Sequence, residues 1–370
     1  MVESSIPTES AELSADISWL LPKKKHAYYI VAPRYVRTSA GIKTLHLLCN
    51  ALNQLGERAY MITRPYHPAA SATNFDLNTP VLTKEILERD YQAGLTPIVV
   101  YSEIVSGNPL NAPFVVRYVM NFPGQLGGES QYDATEFCIA YSEILAKTVS
   151  ICRMTIFFPA SDPKIFTPYP EVARSGSCFY AGKYKYFHGG ELFDITQNSI
   201  EITRDLPHSQ TPQQIAELFR CSEVFYTYDN TALAIEATLC GCPVVFLPNQ
   251  YLDKSIGLHE IGTDGMAWGS SVEELDRAKH TVHLARARYL HLFTELRQKL
   301  QSFIAQTQQA AEERVYNTPM HVPQCGDFNI LIWVGIRWQE LKLVIADIGY
   351  SQTTKIIINK IKQYIAGLAE

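Results

Sequence analysis

One segment of the sequence, YTYDNTALAIEATLCGCPVVFLPN (226–249), places polar side chains where a phosphorylated ligand could bind. Asp229, Asn230 and Thr231 lie at the start of an expected helix, and Glu236 follows within two helical turns. The free N–H groups at a helix start can hold a diphosphate, and a carboxylate can accept hydrogen bonds from ribose hydroxyls. A capped, solvent-exposed helix would give the same pattern, so both interpretations stay open at this point.

Two further positions could contact a ligand through a carboxylate or through the backbone. Glu103 ends the run TPIVVYSE at the carboxyl end of an expected strand, where it is a candidate general base. An ordinary loop carboxylate is the alternative. Gly41 follows Ser39 in the loop RTSAG, where its backbone either approaches an anion at a helix start or forms only a tight turn.

Two common nucleotide-binding motifs are missing from the sequence. The loop RTSAG lacks the G-x-G-x-x-G pattern of dinucleotide-binding proteins, and no G-x-x-x-x-G-K-[ST] segment occurs. The eight cysteines include no C-x-x-C pair, and no second Cys/His pair lies at zinc spacing from Cys240 and Cys242. The sequence therefore disfavours a dinucleotide dehydrogenase, a P-loop enzyme and a zinc protein.

The elements that must position these residues alternate regularly along the first half of the chain. The run AYYIVAP (27–33) predicts a buried strand, IKTLHLLCNALNQLG (42–56) an amphipathic helix, and RAYMIT (58–63) a second strand. Further strands are expected at 96–105, 112–120 and 137–142. Short connections between strands and helices favour a parallel sheet with helices on both faces.

The Pro-rich segment FFPASDPKIFTPYPE (157–171) interrupts this alternation and predicts an interdomain linker. The alternation then restarts, with strands expected at 177–183, 199–203, 222–228 and 242–248, helices at 213–220 and 232–241, and one or two long helices over 272–314. We therefore predict an N-terminal extension (1–26), a first domain (27–160), a second domain (171–327) and a C-terminal helical tail (328–370). The cleft between two such domains is the usual place for a ligand.

The composition indicates a globular protein with a large core. The chain has 370 residues, of which 46% are hydrophobic and 19% charged, and a net charge of −5. Such a chain does not favour nucleic acid as a partner, because sequence-independent binding needs many cations facing phosphates. The acidic N-terminus does not look like a signal peptide, and no apolar run approaches the roughly 20 residues of a membrane-spanning helix. We therefore expect a cytoplasmic protein.

The helix segment around Glu236 resembles the nucleotide-sugar-binding helix of GT-B glycosyltransferases, especially the retaining family-four type. The family pattern E-A-x-x-x-G-x-P-V is matched by Glu236, Ala237, Gly241, Pro243 and Val244. Five other segments resemble family segments in the same order: TSAGIKTLHLLCNALNQLGERAYMIT, APFVVRYVMNFPG, IAYSEILAKTV, FFPASDPKIFTP and CFYAGKYK. The resemblance covers residues 27–315 and implies an α/β fold with two Rossmann-like, doubly wound parallel-sheet domains facing across a cleft and a C-terminal helical tail.

The resemblance also implies roles for residues on the nucleotide-sugar side of the cleft. Glu236 would bind the ribose, and Thr231 with its neighbours would meet the diphosphate through backbone N–H groups. Lys183, after Gly182, stands where the family keeps a basic residue on the phosphates, with Lys185 as a substitute. A cation there would act as an electrostatic catalyst by neutralising charge on the leaving phosphate, so no metal ion or cofactor is expected. Across the cleft, Gly41 would let the loop that contains Ser39 approach the same phosphate.

Two positions depart from the family pattern. The family's first motif glutamate, eight positions before the second, is replaced by Tyr228, which leaves Asp229 beside it as the candidate to contact the sugar. A histidine that often follows the mid-domain strand is replaced by Met120 and Asn121, and Asn121 could hydrogen-bond a sugar hydroxyl. These departures leave the sugar and the stereochemistry open, and Glu103 would serve an inverting reaction.

Basic residues are concentrated in two parts of the chain. Between Leu20 and Arg64 the local charge is +7, although the whole chain carries −5. From Phe328 to Ile365 basic residues alternate with Trp and Ile. This tail predicts either a helix on an anionic membrane surface or a final helix that packs on the first domain. For residues 356–365 we favour packing on the domain.

These observations predict an enzyme that moves a sugar from a nucleotide-sugar donor to a saccharide or lipid-linked saccharide acceptor. The expected pathway is cell-surface polysaccharide or lipopolysaccharide biosynthesis, on the inner face of the membrane. A nucleotide-sugar epimerase of the same fold is one alternative, for which Glu103, Asp229 and His188 could exchange protons. A non-catalytic sugar-nucleotide-binding protein is the other alternative, because the paired-glutamate motif is incomplete.

Overall fold

The computed structural model describes residues 25–64, 72–169, 172–186, 188–204 and 209–323. Its first sheet has six parallel strands in the order β2-β1-β3-β4-β5-β6. These strands are β1 (Tyr28–Ala32), β2 (Ala59–Thr63), β3 (Ile98–Ser102), β4 (Phe114–Val119), β5 (Phe137–Ala140) and β6 (Cys152–Thr155). Every residue of β1, β3, β4 and β5 is buried, as expected for parallel strands covered on both faces.

The second sheet has five parallel strands in the order β11-β10-β9-β7-β8. They are β7 (Ser177–Tyr180), β8 (Ile200–Glu201), β9 (Val224–Thr227), β10 (Val244–Phe246) and β11 (Met266–Trp268). The two cores are separate, because each sheet buries its own apolar clusters.

Eight helices connect and cover the strands in the described part of the chain. They are α1 (Ala40–Gln54), α2 (Lys84–Gln92), α3 (Glu143–Ala146), α4 (Gly182–Tyr186), α5 (Pro212–Cys221), α6 (Ala232–Leu239), α7 (Leu258–Ile261) and α8 (Val272–Glu312). The helix expected at 213–220 is present as α5, where Thr211 and Gln214 form a reciprocal capping box and Pro212 occupies the first turn.

Both sheets reverse their winding direction at one position. In the first sheet β2 lies on one side of β1 and β3 on the other, and in the second sheet β8 and β9 flank β7 in the same way. The loops that leave the two central strands therefore turn to opposite faces and open a crevice at the carboxyl edge. Ligands of open parallel sheets bind at such switch points.

The long helix α8 joins the two domains. Its first half packs on the second sheet through Ala278, Tyr289 and Leu292, whereas its second half packs on the first sheet through Leu300 and Phe303. The Tyr28 hydroxyl on β1 bonds to the Thr307 hydroxyl of α8 at 2.7 Å. The helix that returns to the first domain is thus α8, which the sequence analysis assigned to the second domain.

The predicted α/β fold with two doubly wound parallel sheets is confirmed. The strands expected from apolar runs are present as β1 to β5 and β7 to β10, and the long helix is unbroken. Two strands were missed, β6 and β11, because β6 contains an arginine and no apolar run, whereas β11 has only three residues. The helix α2 was missed as well, since it is rich in charged residues and buries only Leu87 and Asp90.

Several predictions fall outside the described residues. The N-terminal extension up to Lys24 and the tail over 324–370 belong to these, so the membrane interpretation of the tail stays a prediction. Among the described residues, no helix is long and apolar enough to cross a membrane. One charge of the +7 segment is neutralised from outside the segment, because Arg58 pairs with Asp90 at 2.5 Å, whereas Lys25 pairs with Glu57 within it.

Candidate functional site

The candidate site lies where the carboxyl edges of the two sheets meet. Glu103 follows β3, and Ser39 and Gly41 lie at the start of α1, both at the switch point of the first sheet. Lys183 follows β7, and Thr231 follows β9, at the switch point of the second sheet. The fold therefore brings the predicted residues from both domains to corresponding crevices.

Glu103 is a buried carboxyl group at this junction. Its side chain is only 4% exposed, and Oε2 accepts a hydrogen bond from the Met120 backbone N–H at 3.1 Å. Burial raises the pKa of Glu103, whereas the charges of Arg117 and of Lys183 from the other domain act in the opposite direction. A carboxyl group in this environment can exchange a proton nearer to neutral pH than an exposed glutamate.

The two lysines after β7 have different environments. Lys183 is exposed and forms no ion pair with another described residue. Lys185 donates to Glu201 Oε2 on β8 at 2.6 Å and lies over the Tyr186 ring. Lys183 is therefore the available cation of the pair, while Lys185 is occupied by a carboxylate of its own domain.

Gly182 is the residue that lets the chain turn into α4. A Cβ atom at this position would lie 2.1 Å from the Tyr180 hydroxyl oxygen and 2.3 Å from Cζ. The Tyr180 ring therefore covers the start of the turn that presents Lys183.

Asp229 and Asn230 bind backbone groups in this structure. Asp229 Oδ2 accepts from the Lys183 backbone N–H at 3.0 Å, so it fixes the turn that carries that lysine. Burial raises the pKa of Asp229. Asn230 donates to the Lys254 carbonyl at 2.9 Å and accepts from the Ile256 N–H at 3.1 Å, which ties α6 to the loop after β10.

Thr231 is the N-cap of α6, as the sequence predicted. Its hydroxyl accepts from the Leu233 N–H at 3.2 Å and satisfies one of the free donors of the first turn. The position of the absent family glutamate, Tyr228, is fully buried and points into the core, where its hydroxyl accepts from the Phe193 N–H at 2.7 Å. A side chain at position 228 therefore does not face the cleft.

Glu236 lies in a buried cluster of charges between the domains. It is 4% exposed, accepts a hydrogen bond from Ser161 Oγ at 3.2 Å and pairs with Arg204 Nη2 at 3.5 Å. Burial raises the pKa of Glu236, and the charges of Arg204 and of Lys43 on α1 lower it. Ser161 itself is held by Tyr289 of α8, which donates its hydroxyl to the Ser161 carbonyl at 2.7 Å.

Arg204 is incompletely satisfied in this cluster. Its side chain is 10% exposed, and its buried Nε has no hydrogen-bond partner in the described part of the chain. Lys43 is half-buried, and burial lowers its pKa. A ligand with acceptor oxygens could therefore satisfy Arg204 while its hydroxyl groups donate to Glu236.

The predicted acceptor-side residues lie along the opposite rim. Ser39 is the N-cap of α1, although its side chain makes no capping hydrogen bond. Gly41 leaves room beside Met120, whose Cε would lie 3.8 Å from an added Cβ. Asn121 accepts from the Phe122 N–H at 2.9 Å through Oδ1, so its amide nitrogen is the group that remains for a ligand.

A crevice of about 340 Å³ opens beside these residues, between α3 and the loop that follows β10. Its lining includes Glu143, Lys147, Lys254, His259 and the Trp268 ring. Asn230 holds one wall of the crevice through the Lys254 carbonyl. The crevice therefore lies next to the start of α6, on the side away from β8.

Metal-binding residues do not cluster in the described part of the chain, where no group of three or more His, Cys, Asp or Glu side chains is placed to hold an ion. Cys240 and Cys242 are both fully buried in the second core. The expectation of a metal-independent reaction therefore stays a prediction.

The sequence analysis missed three residues of the site. Ser161 was treated only as part of the linker, and Lys43 only as part of a basic segment. Arg204 had one usable signal, because it follows the strand segment SIEIT and so lies at a carboxyl edge. Its pairing with Glu236 could not be read from the sequence, since the partners lie 32 positions apart.

No family model and no curated protein matches the chain. Among solved structures it is similar to a glycosyltransferase from Rickettsia africae ESF-5, with 11% identity, 80% of this chain and 100% of that chain covered, and a TM-score of 0.45. It is also similar to the glycosyltransferase SnogD from Streptomyces nogalater, with 12% identity, 76% of this chain and 100% of that chain covered, and a TM-score of 0.41. For T4 phage BGT, solved with its UDP-glucose substrate, the identity is 14%, the coverage is 78% of this chain and 98% of that chain, and the TM-score is 0.38.

Two doubly wound parallel sheets face each other across one cleft, and a C-terminal helix packs on both. The chain has the GT-B fold. This assignment rests on the strand orders of the chain itself, because the identities and TM-scores are low. The nucleotide-sugar role expected of the second domain, the acceptor role expected of the first domain and the retaining family-four subtype stay predictions.

Proposed function

We propose that this GT-B protein is a glycosyltransferase that moves a sugar from a nucleotide-sugar donor to a saccharide acceptor. One observation carries the proposal: the switch points of both sheets open on one cleft, with the Glu103 carboxyl on one side and the exposed Lys183 on the other. An inverting transfer of a sugar from a nucleoside diphosphate uses two such groups, a base for the acceptor hydroxyl and a cation for the leaving phosphate.

The nucleotide would bind along α6 and the loop after β8. The ribose hydroxyls would donate to Glu236, and an acceptor oxygen of the nucleotide would satisfy the buried Nε of Arg204. The diphosphate would lie at the start of α6, beside Thr231 and Lys183, where backbone N–H groups and the ammonium group both attract negative charge. Because these backbone N–H groups and the Lys183 ammonium group would neutralise the diphosphate, we propose a reaction that needs no metal ion.

The transfer step uses Glu103 as the base. As the acceptor hydroxyl attacks the anomeric carbon, Glu103 takes its proton, and the bond from that carbon to the phosphate oxygen breaks. The negative charge of the departing nucleoside diphosphate is stabilised by Lys183 and the start of α6. Attack by the acceptor itself, without a covalent intermediate, inverts the configuration of the sugar.

The acceptor would enter from the side of the first domain. The crevice that contains Trp268 and Glu143 combines an aromatic ring with hydrogen-bonding groups, which suits a sugar ring. We further propose an acceptor of the cell-surface polysaccharide or lipopolysaccharide class, including lipid-linked saccharides at an anionic membrane surface. The local excess of basic residues up to Arg64 supports an anionic acceptor.

A hydrolysis assay with a panel of UDP-, TDP-, GDP- and ADP-sugars tests this function. Slow release of free sugar and nucleoside diphosphate from one donor is expected in the absence of an acceptor. Donor that is recovered with an inverted sugar centre would instead identify an epimerase. If no nucleotide in the panel binds in calorimetry, both enzymatic interpretations are wrong. Addition of EDTA should leave the rate unchanged if no metal ion takes part.

A non-catalytic nucleotide-binding protein is the second candidate, and one observation favours it. Asp229 and Asn230 are both occupied by backbone groups, and Tyr228 is buried, so the sugar end of the site has few free side chains. Tight nucleotide binding without hydrolysis of any sugar donor in the panel would support this second function.

A further inference from the structure

Arg117 is a fully buried arginine in the middle of strand β4. It is 0% exposed and lies in the apolar segment FVVRYV, where a charged side chain needs compensating partners. Its Nε and Nη2 atoms donate to the two carboxylate oxygens of Glu136, each at 2.9 Å. This two-point pair is the geometry in which an arginine binds a carboxylate most firmly.

The remaining donors of Arg117 bind the loop that carries Glu103. Nη1 donates to the carbonyls of Ser102 at 3.3 Å and Val105 at 2.5 Å, and Nη2 donates to the Gly107 carbonyl at 2.8 Å. These three carbonyls lie on both sides of Glu103 in the chain. The guanidinium group therefore fixes the backbone from which the Glu103 side chain extends.

A second contact fixes the same loop from outside. Gly128 has φ +78°, and a Cβ atom added to it would lie 2.0 Å from the Glu103 carbonyl oxygen. The loop around residue 128 thus packs directly on the backbone of Glu103. Together with the Met120 N–H that binds Oε2, these contacts leave the carboxyl group little freedom.

We propose that Arg117, held by Glu136, is a positioning residue that keeps the Glu103 carboxyl directed into the cleft for proton transfer. The inference rests on the proposed function, because it assigns Arg117 a part in the reaction through Glu103. An apolar side chain would be enough to pack β4 in the core. Arg117 instead places a buried charge there and donates to three carbonyls of the Glu103 loop. Its hydrogen bonds to the loop of the candidate base give this charged side chain a role in an otherwise apolar strand.

The groups that face Glu103 determine how its pKa should respond. Arg117 and Tyr118 lie on β4, Tyr132 lies on the loop before β5, and Lys183 belongs to the second domain. Burial raises the pKa of Tyr132 to about 12 and raises that of Tyr118 well above its usual range, so both phenols are neutral near pH 7. The charges that act on Glu103 are therefore those of Arg117 and Lys183, and Glu136 is the carboxylate that pairs with Arg117.

The test compares Arg117→Met with Glu136→Gln by a carbon-13 NMR titration of the glutamate carboxyl groups, with Glu103 assigned through Glu103→Gln. Loss of the guanidinium charge should raise the pKa of Glu103, whereas loss of the Glu136 charge should lower it. Arg153→Met is the control and should not move the pKa, because Arg153 is exposed on strand β6, which β5 separates from β4. Folded variants in which neither substitution moves the Glu103 midpoint would overturn the inference.

Activity measurements separate this inference from the proposed function. Arg117→Lys keeps the charge but loses the forked hydrogen bonds, so kcat for donor hydrolysis should fall about 10- to 100-fold while KM for the nucleotide-sugar stays constant. If Glu103→Gln is as active as the wild type, the proposed base is wrong. If Glu103→Gln is inactive and Arg117→Lys retains full kcat, the positioning role is wrong. Should Arg117→Met fail to fold, the Glu136→Gln variant still tests the inference, because it should lower the pKa of Glu103.

Discussion

Glu236 shows how strongly the function of a single residue depends on its partners. The sequence predicts a ribose-binding carboxylate, and in the structure that carboxylate is buried between Arg204 and Ser161. A ribose that donates to Glu236 would add hydrogen bonds without displacing the ion pair, because a carboxylate can accept several. The same burial means that removal of the whole side chain would leave Arg204 unpaired.

The variant Glu236→Gln keeps the shape of this side chain but removes its charge. We expect nucleotide binding to weaken by about 1–3 kcal/mol, since hydrogen bonds to a charged group are stronger than those between neutral groups. Calorimetric titration with the nucleoside diphosphate preferred in the panel measures the effect. Glu260→Gln is a matched control, because Glu260 is also buried but accepts from the Glu143 N–H and has no contact with Arg204 or Ser161 among the described hydrogen bonds. An unchanged Kd for Glu236→Gln would place the ribose elsewhere.

Lys183 and Lys185 form a natural pair of test positions. Lys183→Met should lower kcat about 100-fold, as expected when one group that stabilises leaving-group charge is removed. Lys185→Met should have a smaller effect, because Lys185 already pairs with Glu201. Steady-state hydrolysis of the preferred nucleotide-sugar gives both values. A larger loss for Lys185→Met would mean that the two roles are exchanged.

The raised pKa of Glu103 predicts the pH dependence of the reaction. A general base must be ionised, so activity should be lost as the pH falls through the pKa of Glu103. Because burial raises that pKa, the acidic limb of kcat/KM should lie above the pH of about 4.3 expected for an exposed glutamate. Glu103→Gln should remove this limb together with most of the activity. A limb that persists in Glu103→Gln would belong to another group.

At the scale of elements, the turn from β7 into α4 determines where Lys183 lies. The Tyr180 ring leaves no room for a Cβ atom at position 182, and glycine has none, so the chain can make this turn. Asp229 then fixes the turn by accepting from the Lys183 N–H. The element therefore depends on a glycine, a ring and a carboxylate from two different segments of the second domain.

Gly182→Ala should destabilise the protein by about 1–3 kcal/mol, the usual range for an added methyl group in a packed region. It should also lower kcat, because the displaced ring moves the turn that carries Lys183. Replacement of the ring in Tyr180→Ala/Gly182→Ala should recover part of the activity by making room for the new methyl group. Thermal unfolding and donor hydrolysis, measured on the same samples, separate the two effects. Equal activities of both variants would show that the ring does not control the turn.

At the scale of the whole molecule, α8 couples the two domains. Tyr289 of this helix binds Ser161 in the linker, and the next turns pack on the first sheet through Leu300 and Phe303. Ser161 in turn donates to Glu236. The candidate nucleotide site is therefore connected to α8, the helix that joins the domains. We expect nucleotide binding to affect the packing of α8 on both domains.

Charge distribution gives a prediction for the whole chain. The tail from Phe328 to Ile365 and the segment up to Arg64 contain many basic residues, although the net charge is −5. We expect the protein to sediment with vesicles that contain anionic lipids at low salt and to be released at high salt. Vesicles of neutral lipid are the control. Equal sedimentation with both kinds of vesicle would rule out an electrostatic attachment.

The sequence alone determined most of the elements and the class of fold. Apolar runs such as TPIVVYS and CPVVFLP became strands, and the helices expected at 213–220 and 232–241 are present as α5 and α6. These features are local, because backbone preferences and the spacing of apolar residues act over a few positions. The same reasoning placed Glu103 at a strand end and Thr231 at a helix start, and both lie at the carboxyl edges of their sheets.

Only the tertiary structure decided which polar groups are available and which are occupied. Lys185 is paired with Glu201, Asp229 is bound to backbone N–H groups, and Ser161 donates to Glu236 across 75 positions of sequence. The order of the strands, and therefore the place of the switch points, likewise depends on pairing between distant segments. Partners so far apart meet only after the chain has folded, and burial then determines their pKa values and their capacity to bind a ligand.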